Sequence, residues 1–400
     1  MDATADSVTA ADAAVTARHG TRAERFGQGA LPGAGVWAGC AAAALLLALC
    51  SGLAPHRIWG VPATVGYAGA AWAAARGRRR AAVVGAAGFA VGLPLLMLVL
   101  MERAQLEVEV VARSAHALLA TGSPYAPDPV AVADFDPYLP AMSVFGIPQA
   151  LLGAGPLTDP RLWTGAAFLG ALALCAGRSS SLLVLAACPV VALPLAVGGV
   201  DLPVVASMCL GLSSAGRGRP VAAGLAIGFA AALKWTAWPA LPVAVALLVS
   251  MRQKGAALRC ALVAMSLTAA LVLPVALRDT SSFAEHVVAY PLGLTDALSP
   301  AASPFPGHLL AAGVPGGRTV ALVLLLCCAL AVAGSLIVRP PGTASDAALR
   351  LALGLCLAIA LMPATRFGYL VYPLVLTVWA VSQRDRAPHD AAARPQGAPR

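Results

Sequence analysis

The sequence predicts an all-α, polytopic transmembrane helical bundle, and three observations predict it. Of its 400 residues 59% are hydrophobic and 11% charged, with a mean hydropathy of +0.80, whereas a soluble domain carries roughly a quarter charged residues. Apolar runs of about 16 to 21 residues recur from near Val36 to near Val381, and about 20 residues of helix cross a bilayer, so roughly 12 spans are expected. The runs are Ala, Leu and Val without strict alternation, and lipid offers no water to unpaired backbone groups, so helices rather than a membrane barrel satisfy the chain.

The two ends stand apart from this pattern. Residues 1–33 mix Asp2, Asp6, Asp12 and Glu24 with Arg18, Arg22 and Arg25, too long and too polar for the n-region of a cleaved signal, and are expected to form a disordered cytoplasmic tail. Residues 384–400 are Pro/Ala-rich and polar, with nothing to pack against, and are expected to be a second one. Residues 34–383 are the membrane domain. The net charge of +9 comes from arginines gathered at span ends, as the positive-inside rule expects; the partner it implies is the bilayer, not nucleic acid. All nine cysteines lie in apolar runs without metal-ligand or CxxC spacing, so they read as small apolar residues.

In order along the chain, the first spans occupy about 36–54, 58–75 and 81–101. Arg76, Arg78, Arg79 and Arg80 mark a cytoplasmic turn, as do Arg217 with Arg219, and Arg252 with Lys254 and Arg259. Residues 102–140 hold six of the eighteen acids against only Arg103 and Arg113, an outer loop by charge, and counting back from a cytoplasmic C-terminus puts 277–317 outside too. Parity then fails between 140 and 177, where "PAMSVFGIPQALLGAG" is broken by Gly146 and Pro148; a re-entrant or half-length helix is expected there.

If 102–117 is one helix, Glu102, Gln105, Arg113 and His116 fall within about 40° of Glu109, while Glu107 points about 160° away beside Val111 and Ser114. This places an amphipathic helix on the outer surface with its Glu109 stripe turned toward a cavity. Tyr125, Asp134, Asp136 and Tyr138 follow among five prolines, a rigid polar segment. Lys234, one of two lysines in the chain, ends an apolar run beside Trp235 and Trp238; an ionisable group at such a depth marks a candidate site, against the alternative of snorkelling to an aromatic belt. Arg366 and Tyr369 lie on an outer turn near the end, where an arginine runs against the charge bias and suggests an anionic partner. Glu285, His286, Tyr290 and His308 are further outer-loop candidates.

Together "AHALLATGSPY", "DFDPYLPAMSVFGIP", "AAGLAIGFAAALKWTAWP" and "MPATRFGYLVYP", preceded by Glu109, resemble the motif series of the GT-C superfamily of membrane glycosyltransferases, and within it the bacterial polyprenol-phosphate-dependent mannosyltransferase-like proteins. The match runs in order across about 105 to 373. It departs from the family in having Glu109 where aspartate is common, with Glu107 as a nearby competitor, and "GGVD" ending in Asp201 where a "GQ" turn is usual. The resemblance implies a GT-C-like fold in a bacterial plasma membrane. It implies transfer of a hexose, mannose in this reading, from a polyprenyl-phosphate sugar donor to a glycolipid or glycan acceptor outside the cytoplasm.

On that chemistry, Glu109 is expected to take the acceptor proton. Lys234 and Arg366 are expected to stabilise the departing lipid phosphate, with Arg113, His116, Tyr125, Asp134, Asp136, Tyr138 and Tyr369 lining the substrate site. A single carboxylate suffices for inversion, unlike the pair in most glycoside hydrolases. No metal or other cofactor is called for by any ligand spacing. The competing readings are a transporter or lipid flippase, which an internal repeat would favour, and an inactive partner of the same fold.

Overall fold

A computed structural model describes residues 31–176, 180–297 and 300–384; most of both expected tails, residues 1–30 and 385–400, lies outside the described residues. Among those described the chain is all helical, with no strand and one isolated bridge between Ala302 and Thr365. The helices are α1 Ala34–Cys50, α2 Ala54–Ala75, α3 Arg79–Leu100, α4 Leu106–Thr121, α5 Pro140–Leu152, α6 Pro160–Ala176, α7 Ser180–Ala187, α8 Pro189–Val197 and α9 Asp201–Gly216. They continue as α10 Pro220–Leu233, α11 Ala240–Ser250, α12 Lys254–Arg278, α13 Thr280–Phe283, α14 Pro306–Gly313, α15 Gly317–Val338, α16 Ala344–Leu361 and α17 Val371–Arg384.

Four of these, α3, α12, α15 and α16, are long and apolar enough to cross a membrane. Several other apolar runs of the sequence are cut shorter by proline, which removes an N–H and crowds the preceding turn. The run from 180 to 197 is one case. Pro189 splits it into α7 and α8, and the freed carbonyl of Ala187 accepts a bond from Tyr67 Oη at 2.7 Å. In α3 the π-turn Gly88–Gly92 is met in the same way, with Trp59 Nε1 donating to Ala90 O at 2.7 Å. These two bonds lock α2 against α3 and α7 in a core of its own around Trp37, Trp59 and Tyr67.

The larger core joins α6 and α9–α12 to α16 and α17, and is built of Val, Leu and Ala with Phe168, Met208 and Trp379. Outward, α15 is only 6% buried along its apolar window; such a surface belongs in hydrocarbon. From α9 onward the long helices run back and forth between two ends. Gly216, Ser250 and Pro341 meet at one, where Ser250 Oγ donates to Pro341 O at 2.6 Å. Asp201, Lys234 and Tyr372 meet at the other.

The segment that breaks the sequence parity is α5. It begins beside Lys234, with Leu139 N donating to Leu233 O at 3.1 Å, and runs as a 3-10 turn to Gly146 before becoming α-helical. Its thirteen residues reach about 20 Å at 1.5 Å each, short of a hydrocarbon core of about 30 Å. The helix after it also starts from the same end, since Arg161 Nη1 donates to Arg103 O at 2.8 Å just past α3. At Gly146 a Cβ would stand 2.3 Å from Val111 O, so only glycine lets α5 lie against α4.

The orientation of α4 differs from the one expected. Val108, Val110, Val111, Ser114 and Ala115 are buried, whereas Glu109, Arg113 and His116 are exposed. The apolar face decides the rotation, because burying three ionisable groups without partners costs far more than burying valines. Glu107 travels inward with that face.

Candidate active site

At the end shared by α9, α10 and α17, side chains from distant parts of the chain converge. Lys234 follows the last turn of α10 in extended conformation, φ −160° and ψ 144°, before the 3-10 turn Trp235–Ala237. The kink swings its ammonium back under the bundle rather than out to solvent. Lys234 Nζ lies 2.5 Å from Asp201 Oδ1, 4.8 Å from the ring centre of Tyr369 and 5.4 Å from that of Tyr138. The residue is 9% exposed. A charge so enclosed persists only when paired and surrounded by polarisable faces. Asp201, in the first turn of α9, also accepts from Tyr372 Oη at 2.6 Å, and Thr236 Oγ1 donates to that hydroxyl at 2.7 Å.

Beside this group Arg366 Nη1 donates to Glu107 Oε1 at 2.5 Å. Arg366 is set by an extended stretch in which Thr365 N donates to Ala301 O and Ser303 N to Thr365 O, at 2.9 and 3.0 Å. The 3-10 turn Phe367–Leu370 then presents Tyr369, and α17 presents Tyr372. Two residues before Glu107, Gln105 Nε2 lies 2.5 Å from His56 Nε2 at the start of α2.

A second polar cluster supports the first from behind. Asp136, 5% exposed, accepts from Ser114 Oγ at 2.6 Å and from Tyr138 N at 3.0 Å. Burial pushes its carboxyl up to about 7. His286, fully buried, accepts at Nδ1 from Asp136 N at 2.9 Å and donates from Nε2 to Ala126 O at 2.8 Å. Both ring nitrogens are thereby used by a neutral imidazole, and burial holds its pKa below the usual histidine value. Tyr125 Oη donates to Tyr138 O at 2.9 Å, and Arg113 Nη2 to Ala133 O at 2.8 Å. Asp134 accepts from the N–H groups of Ala131 and Val130, which hold its carboxyl below the usual range.

The structure thus brings Lys234, Arg366, Tyr138 and Tyr369 into one group and puts Tyr125, Asp134 and Asp136 in the loop that carries Tyr138, with Arg113 reaching that loop from α4. Glu109 and His116 point to solvent on the far face of α4. Asp201, which the sequence marked only as a departure from the family's turn, is the direct partner of Lys234, and Tyr372 donates to that same carboxylate. Glu107 occupies the place by Arg366. His56 and Thr236 were missed as members, and Gln105 was grouped with Glu109 rather than with Glu107; His56 lies 49 residues from its partner Gln105, a separation no local pattern encodes.

The group combines two largely buried carboxylates, Glu107 and Asp201, with two cations and three phenols at one end of an apolar bundle. One oxygen of Glu107 is held by Arg366, and the ammonium and guanidinium set two positive charges beside it. Such an arrangement suits proton removal from a hydroxyl next to a departing phosphate.

The family model for glycosyltransferase family 87 matches residues 137–365, a stretch that takes in Tyr138, Asp201 and Lys234. Among curated proteins none matches the chain. Solved structures similar to it include ArnT from Cupriavidus metallidurans in the apo state, at 18% identity and a TM-score of 0.43 over 70% of this chain and 56% of that one. Another is the same protein bound to undecaprenyl phosphate, at 16% identity and a TM-score of 0.45 over 75% and 61%. The chain spans about three-fifths of the length of the ArnT chains it matches.

Proposed function

The chain belongs to glycosyltransferase family 87 and is a GT-C superfamily membrane glycosyltransferase, and from that premise we propose that it moves a hexose, mannose in our reading, from a polyprenyl-phosphate donor to a lipid or glycan acceptor outside the cytoplasm of a bacterial cell. The observation that carries this reading is the convergence of Glu107, Arg366 and Lys234 at one end of the bundle. In the proposed step the acceptor hydroxyl gives its proton to Glu107 while its oxygen attacks the anomeric carbon. The bond from that carbon to the phosphate oxygen breaks on the opposite face, with inversion. The lipid phosphate leaves as an anion beside Lys234 and Arg366 and needs no acid.

Glu107 takes the base role in this proposal in preference to Glu109, because Glu109 faces away from both cations. Glu107→Gln is expected to lower transfer in membranes supplied with polyprenyl-phosphate mannose by about 10²- to 10⁴-fold, with Glu109→Gln close to the parent. The reverse pattern would return the base role to Glu109, and full activity in both variants would end the carboxylate mechanism.

A further inference from the structure

The opposite end of the bundle carries a recess of about 440 Å³ between the ends of α15, α16 and α17, lined by Arg339, Asp346, Arg350 and Arg384 together with Leu349 and Leu353. Its arginines come from three separate stretches of chain. Arg350 Nη1 donates to Ser335 Oγ at 2.5 Å and Nη2 to Arg339 O at 3.5 Å, which sets that guanidinium across the α15–α16 junction. Arg384 pairs with Asp346. Asp346 is also engaged in capping α16, where Thr343 Oγ1 donates to Asp346 Oδ2 at 2.8 Å and receives Asp346 N at 3.1 Å. Among the described residues nothing pairs with the Arg339 guanidinium. Among the described residues one carboxylate therefore faces three guanidiniums, an excess of two positive charges in the lining.

The rim is apolar. Ile337 and Val338 are 84% and 79% exposed and Leu353 is 53% exposed, on the same helices that present lipid-facing surface. A soluble anion would use the arginines and leave this rim in water; a molecule with an anionic head and hydrocarbon chains uses both. Guanidinium groups match phosphate oxygens in geometry and charge, and basic recesses between membrane helices suit lipid head groups.

We propose that this recess binds the phosphodiester head group of an anionic glycerophospholipid, whose acyl chains lie along Ile337, Val338 and Leu353. The site is independent of the glycosyl-transfer reading. It ties together the ends of α15, α16 and α17 remote from Arg366 and Tyr372, so occupancy stabilises the fold by linkage.

The test uses the full chain in detergent, with phosphatidylglycerol, phosphatidylcholine or inorganic phosphate added at equal phosphate concentration. Bound lipid is counted by native mass spectrometry, and the thermal midpoint is followed by intrinsic fluorescence. The parent is expected to retain phosphatidylglycerol over phosphatidylcholine and to gain thermal stability from it alone. Arg339→Gln/Arg350→Gln/Arg384→Gln is expected to reduce that preference on the order of a hundredfold, at about fivefold per arginine. The corresponding triple Arg→Lys variant retains positive charge and is expected to recover part of the preference. Arg78→Gln/Arg80→Gln/Arg259→Gln removes equal charge away from the recess and is expected to behave as the parent. Equal binding of both lipids, an undiminished preference in the glutamine variant, an equal loss in the distant variant, or equal protection by inorganic phosphate would overturn the assignment.

Discussion

Lys234 shows how much of this protein depends on single partners. Its ammonium is enclosed with Asp201 at 2.5 Å, the two side chains being 11% and 16% exposed. Removing one member strands the other, which costs about 3–5 kcal/mol for a buried pair. Lys234→Met is therefore expected to lower the thermal midpoint clearly, whereas Lys234→Met/Asp201→Asn recovers most of that loss and still transfers no sugar. Calorimetry or fluorescence melts beside a transfer assay check this; a double variant with parental turnover would remove the cation from the reaction. The same residue scale separates Glu107 from Glu109. Two positions along a helix are a rotation of about 200°, so one acid meets Arg366 and the other meets solvent.

At the scale of elements, α4 and the loop after it form a platform for Tyr138, and the loop is pinned by His286 and Asp136. Their protonation works in opposite directions. His286 is held neutral with a lowered pKa, so the stability it adds is present above its unfolded value near 6.5 and is lost as pH falls below it. Asp136 has a carboxyl raised to about 7, so its contribution is present at low pH and is lost as pH rises from about 4 to 7. Asp136→Asn removes the second dependence alone. In that variant, hydrogen-exchange protection of residues 122–139, corrected for intrinsic rates, is expected to be flat above pH 6.5 and to fall below it. In the parent an added decline toward pH 7 is expected. Identical profiles for the two proteins would show that Asp136 does not titrate in this range.

At the scale of the whole molecule, the back-and-forth run of helices puts Lys234, Asp201 and Arg366 at one end and Arg217, Arg252, Arg339 and Arg384 at the other. On the positive-inside rule the candidate active site is expected at the outer face. In a background without cysteines, Thr280→Cys is expected to react with a membrane-impermeant maleimide in intact cells. Gly255→Cys, where a Cβ meets nothing within 4 Å, is expected to react only after permeabilisation. Labelling of both from the same side would break this topology.

Composition by itself determined that the chain lives in lipid as helices, because so few charges and such long apolar runs leave the backbone no other way to satisfy its hydrogen bonds. The sequence also marked Lys234 and Arg366 as standing where charge is scarce, and led to the expectation of a re-entrant or half-length helix where Gly146 and Pro148 break the segment after residue 140. Only the tertiary structure decided which acid faces those cations. An isolated helix can turn either stripe inward, and the rotation of α4 was settled by valines packing against α5, with Gly146 allowing the close approach. The partners Asp201, Tyr372, His56 and His286 were likewise decided by packing, because contacts such as His286 with Asp136 span 150 residues and the distance between them exists only once the bundle has closed.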